Sequence, residues 1–102
     1  MPKKKVVFLG SKPIGYKCLE FAINQMETLD IEIIGVLTNS RKEFGSDFDL
    51  KQLASDNSLP IFDSVDDIPI CDILYSVQYH EILKQEHIDK AGQIAVNLHM
   101  AP

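Results

Sequence analysis

Cysteine is scarce in this chain of 102 residues, with Cys18 and Cys71 the only two. They stand far apart with no secretory signal ahead of them. That argues against a disulfide-stapled secreted scaffold and reads as two free thiols in a reducing compartment. Both sit in apolar runs and are expected in the core rather than on a metal. Long apolar runs are missing as well. The first, Val6 to Gly10, is far too short for a signal-peptide core or a membrane span, so a soluble cytoplasmic protein is expected. Basic charge is in deficit: 10 Lys and Arg stand against 15 Asp and Glu, a formal net charge of -5. A net acidic surface argues against nucleic acid and anionic lipid as partners, because both need cations to displace counterions. The one basic run, Lys3-Lys4-Lys5, reads as a solvated lead-in to a strand. No repeat and no low-complexity segment is present. What remains is an ordinary globular balance, 45% hydrophobic and 25% charged. The length fits one domain and is small for a complete α/β enzyme.

The order of segments is strand, helix, strand, repeated. Lys5 to Gly10 is a continuous β-branched and aromatic run, which suits a strand buried on both faces. Pro13 opens a helix over Ile14 to Met26, with Ile14, Cys18, Phe21, Ala22 and Ile23 as its apolar side and Leu19 alongside. Ile31 to Leu37 is a second strand, and Thr38 to Phe48 a polar loop. Asp49 to Asp56 reads as a short helix with Leu50, Leu53 and Ala54 inward. Ser58 to Phe62 is a brief strand carrying an edge proline, Pro60. Asp66, Asp67 and Pro69 mark a turn before a third strong strand, Cys71 to Val77. His80 to Ala91 is a weak helical stretch, and Gln93 to Leu98 is the last strand. Strands separated by helices of this length predict βαβ units with right-handed crossovers. The expected fold class is therefore α/β, a Rossmann-like three-layer arrangement with a mostly parallel sheet.

Glycine is too sparse for the common nucleotide motifs. The first strand-to-helix turn reads Gly10-Ser11-Lys12-Pro13-Ile14-Gly15. Lys12 occupies the second glycine position of a dinucleotide fingerprint, where a side chain blocks close approach to a pyrophosphate. The second strand ends in Thr38-Asn39, without a ribose-binding acid. Gly10 and Gly15 have phosphate-loop spacing, but Tyr16-Lys17 follows where Lys and Ser or Thr are needed. A lysine one position late is rotated about 100° around the helix. His80-Glu81 begins like a zinc-protease helix, yet Lys84 stands where the second histidine belongs. His80 and His87, seven apart, read as a solvated helical face, and no metal is expected.

The chemistry-bearing pair is at the end of the last strand, Asn97-Leu98-His99. Alternation along a strand puts Asn97 and His99 on one face. They sit at the carboxyl end of a parallel strand, the edge where open α/β sheets build sites. An amide there can donate to a developing oxyanion, and an imidazole can move a proton near neutral pH. The plainer reading, in which both residues cap the strand and bond a neighbouring loop, is the one that the residues alone favour.

Asn97-Leu98-His99, after a strand and before a small-residue and proline segment, resembles the N-x-H motif of the folate-dependent formyltransferases. That family includes the glycinamide ribonucleotide, methionyl-tRNA and sugar-nucleotide N-formyltransferases. Further segments resemble it in the same order: Val7-Phe8-Leu9-Gly10 with Pro13, Gln52-Leu53-Ala54, Leu59-Pro60-Ile61-Phe62, and Asp72 through Leu83. The resemblance implies that residues 1–102 form the N-terminal portion of a formyltransferase catalytic domain. It implies formyl transfer from 10-formyltetrahydrofolate to a primary amine, with Asn97 stabilising the tetrahedral oxyanion and His99 moving the proton. The family's third residue, an Asp, would lie past Pro102, so this stretch alone is expected to be inactive.

The folate pocket implied by the resemblance is His80, Glu81, Ile82 and Leu83, with Ile82 and Leu83 packed on the pterin. Glu81 departs from the basic or imidazole residue associated with that position. In the alternative, Ile82 and Leu83 staple the following helix to the sheet. The loop Gln78-Tyr79-His80 is most similar to the sugar-nucleotide enzymes, so the expected acceptor is an amino-sugar nucleotide, with methionyl-tRNA second and glycinamide ribonucleotide third. A non-catalytic Rossmann-like binding module is the alternative of another class. The last strand is expected to present an open sheet edge, giving a homodimer or a poorly ordered C-terminus.

Overall fold

The structure of the chain is a computed structural model that describes residues 3–10, 12–38, 50–62, 64–77 and 85–98. Five strands form one sheet: β1 (Lys4–Gly10), β2 (Ile31–Leu37), β3 (Ile61–Phe62), β4 (Cys71–Val77) and β5 (Ala91–Leu98). Their order is β3-β2-β1-β4-β5, and every neighbouring pair is parallel. The β-branched run of β1 lies at the centre, with Val6 to Gly10 all buried. A strand covered on both faces needs no polar alternation, which is why its sequence has none.

The connections supply the two outer layers. Helices α1 (Lys12–Asn24), α2 (Met26–Leu29) and α3 (Leu50–Asp56) carry the chain outward from β1 to β2 and β3. It then returns past β1 to β4 through a 3-10 helix, Val65–Asp67, and reaches β5 through α4 (Gln85–Ile88). Right-handed crossovers running in opposite directions fall on opposite faces. One face buries Phe8, Leu19, Ile33, Val36, Leu50, Ala54 and Val77. The other buries Val7, Leu9, Leu37 and Leu74 with Val65, Ile68 and Cys71.

Local chemistry sets the ends of these elements. Pro13 stands in the first turn of α1, where a missing N–H costs nothing. Asp30 closes α2 in the left-handed region (φ 56°) and donates its N–H to the carbonyls of Glu27 and Met26. Ser64 caps the 3-10 helix, its hydroxyl accepting from Asp66 N at 3.2 Å. β3 is shorter than the sequence suggests. Pro60 has no N–H to give the ladder, and only its carbonyl pairs, accepting from Val36 N at 2.9 Å.

Helix α1 packs Cys18, Leu19, Ala22 and Ile23 of its predicted apolar side on the sheet but leaves two of the predicted residues out. Leu19 is fully buried, whereas Phe21 is 63% exposed and Ile14 39%. Gly15, Leu19, Ala22, Ile23 and Met26 follow one stripe of three- and four-residue steps, and Phe21 lies off it. In β2 the register slips. Val6 pairs with Ile33 but Val7 with Gly35, so Ile34 is an extra residue and the strand bulges. At the far side of the sheet, β5 pairs with β4 through Leu98, yet Gln93, Ile94 and Ala95 are exposed. The weak helix expected over His80 to Ala91 is reduced, among the described residues, to the four of α4. No helix is long and apolar enough to cross a membrane among the described residues.

Candidate active site

Open parallel sheets bind ligands outside the carboxyl ends of their strands, where successive connections leave toward opposite faces. In this sheet that point falls between β1 and β4, whose last residues, Gly10 and Val77, pair in register. The start of α1 comes down directly on it. A methyl group on Gly15 would stand 3.4 Å from the Gly10 carbonyl carbon and 3.5 Å from the Val77 carbonyl oxygen. The next strand brings Asn97 opposite Ser76 and Leu98 opposite Val77. Asn97 is thus one residue from the end of β5, two interstrand spacings, roughly 10 Å, from β1.

Of the residues expected to carry chemistry, Asn97 is brought to this edge. His99 and the expected folate residues His80, Glu81, Ile82 and Leu83 lie outside the described residues. The latter four stand in the sequence between Val77, the last residue of β4, and Gln85. Two buried polar residues near the same edge escaped the sequence reading, Ser76 in β4 and Thr38 just after β2. The available signal was a hydroxyl interrupting or ending an apolar strand run.

Neither Cys71, at the far end of β4, nor Tyr75 is a nucleophile in waiting. Burial pushes the Cys71 thiol above its ordinary range, and the charge of Asp72 pushes the same way, outweighing a bond from the Val7 backbone. A raised thiol stays protonated and inert at neutral pH, as the core reading of Cys71 requires. The Tyr75 phenol is also raised, first by burial and then by Cys18 beside it. Its ring packs on Phe8, with centroids 5.5 Å apart. His87 corrects the sequence reading. It is not on a solvated face but 4% exposed, with Nε2 2.9 Å from Asp66 Oδ1.

No protein-family model matches the chain, nor does any curated protein. Among solved structures the chain is similar to a formyltetrahydrofolate deformylase from Pseudomonas putida KT2440, with a TM-score of 0.62 at 19% sequence identity. The match covers 95% of this chain and 38% of that protein, so the chain spans well under half the length of its structural neighbour. At this identity the likeness is one of fold: the chain's Rossmann-like α/β arrangement, with its all-parallel sheet, is similar to part of that enzyme.

Proposed function

We propose that this chain is part of an enzyme that transfers the formyl group of 10-formyltetrahydrofolate, with Asn97 and His99 at the reacting carbon. The observation that carries the reading is the position of Asn97 at the carboxyl edge of β5, in a fold shared with a formyltetrahydrofolate deformylase. An amine nitrogen attacks the formyl carbon. The Asn97 amide donates to the oxyanion that forms, and His99 takes the proton from the attacking nitrogen. Collapse breaks the bond to N10 of the folate, and the proton passes to that nitrogen. His80, Glu81, Ile82 and Leu83 hold the pterin. Gln78-Tyr79-His80 supports an amino-sugar nucleotide as acceptor.

A second reading has water as acceptor, giving formate and tetrahydrofolate. The structural neighbour's being a formyltetrahydrofolate deformylase favours it. The test is an assay of the whole enzyme that contains this chain, with 10-formyltetrahydrofolate, with and without an amino-sugar nucleotide, following tetrahydrofolate and formate together. Formylated sugar supports the first reading, and formate without an amine supports the second. Asn97→Ala is expected to lower kcat roughly 100- to 1000-fold through loss of an oxyanion donor. Full activity in both Asn97→Ala and His99→Ala would overturn the assignment of roles.

A further inference from the structure

On the face of the sheet opposite α1, two crossover segments meet at a buried imidazole. His87 of α4 places Nε2 2.9 Å from Oδ1 of Asp66, in the 3-10 helix, and 3.9 Å from Oε1 of Glu86. One ligand atom from each of the three residues lies within 4.8 Å of the others. The imidazole side chain is 6% exposed, whereas those of Asp66 and Glu86 are 79% and 70% exposed. The nitrogen is therefore held by packing, and the carboxylates have room to adjust at the surface. Solvated acidic groups ordinarily spread apart to reduce repulsion. Here two of them converge on one ring nitrogen that the fold keeps in place.

The donor set selects among cations. Calcium and magnesium take oxygen ligands and gain nothing from an imidazole. Zinc takes histidine nitrogen at about 2.0–2.1 Å and carboxylate oxygen at about 2.0–2.2 Å. Tetrahedral ligand atoms at those lengths stand roughly 3.4 Å apart, a value that the observed 2.9 Å and 3.9 Å bracket. Lys90 is a nearby cation among the described residues, and its Nζ donates to the main-chain carbonyl of Asp66 at 3.4 Å. We propose that Asp66, Glu86 and His87 form a three-ligand site for zinc, with water completing the coordination. The ion ties the segment before β4 to the helix before β5, and neither its ligands nor its role depends on formyl transfer.

The test uses the chain stripped with a chelator and titrated with ZnCl2, read by calorimetry and by the thermal unfolding midpoint. The expected result is one ion per chain with micromolar affinity and a midpoint that climbs with zinc concentration. Asp66→Asn and Glu86→Gln, both at exposed carboxylates, should each weaken binding about tenfold or more. Asp67→Asn, at the exposed neighbour in the same 3-10 helix, should leave it unchanged. Cobalt substituted for zinc should show tetrahedral absorption in the parent that is lost in Asp66→Asn. Absence of binding up to about 1 mM zinc overturns the proposal. So does binding that survives both substitutions, since the ion would then sit on other donors.

Discussion

At Gly35 the bulge in β2 turns a backbone position toward Phe62. A methyl group there would overlap Cε2 of the ring and come within 2.6 Å of Cζ. Gly35→Ala must therefore displace the ring or the strand, at a cost of roughly 1–3 kcal/mol. The check is the urea midpoint, which should fall with the m-value unchanged. A midpoint at or above the parent's would show that Phe62 swings aside without loss. Gly15 makes the control, since its added methyl meets only ordinary contacts at 3.4–3.5 Å. Gly15→Ala should be neutral or stabilising by up to about 1 kcal/mol, the helix-propensity difference.

Cys71 governs stability at alkaline pH by its raised thiol. The folded chain holds that proton more tightly than the unfolded chain, because burial disfavours the thiolate. The stabilisation is complete below the unfolded thiol's pKa, about 8.5, and is lost as pH rises from there through the folded value. Urea midpoints should decline more steeply above that pH in the parent than in Cys71→Ala, even though the variant starts lower. Equal slopes would remove Cys71 as the source.

At the scale of elements, α1 separates what periodicity shows from what packing chooses. Its sequence offers apolar residues on most sides: Ile14, Cys18, Leu19, Phe21, Ala22 and Ile23. The sheet accepts the stripe through Leu19 and leaves Phe21 in solvent. Leu19→Ala should cost about 2–5 kcal/mol, as expected for a fully buried leucine, while Phe21→Ala should stay within about 0.5 kcal/mol of the parent. Thermal or urea unfolding of the pair decides, and a larger loss at Phe21 would mean that the helix presents its other side. The strand ends follow a similar contrast. β3 is cut short by Pro60, which protects its edge of the sheet, whereas β5 is eight residues long and carries no charge. Its boundaries were read from the β-branched run to within two residues. Its open edge was expected from the family resemblance and not from its own residues, because a strand's own sequence does not say whether a neighbour covers it.

For the whole molecule, the two apolar clusters share strands. Val7 and Leu9 of β1 face one cluster, and Phe8 between them faces the other. Neither face can open without exposing the other's backbone, so unfolding should be a single cooperative transition. Tyrosine fluorescence sums Tyr16, Tyr75 and Tyr79, the first two packed on one face, and far-UV circular dichroism reports the sheet as a whole. Their urea midpoints are expected to coincide, and a separation would show the two faces to be independent units.

The alternation of buried β-branched runs with helical stretches determined the α/β class, the parallel pairing and the limits of β1, β2 and β4 from sequence alone. The carboxyl-edge position of Asn97 followed from the same reasoning, since it needs only the direction of one strand. Strand order, the buried side of α1, the need for glycine at position 35 and the meeting of His87 with Asp66 were decided by the tertiary structure. Asp66 and His87 are 21 residues apart and in different crossovers. Periodicity records that a residue faces inward, but the partner it meets there depends on where each crossover returns the chain, and no local pattern carries that.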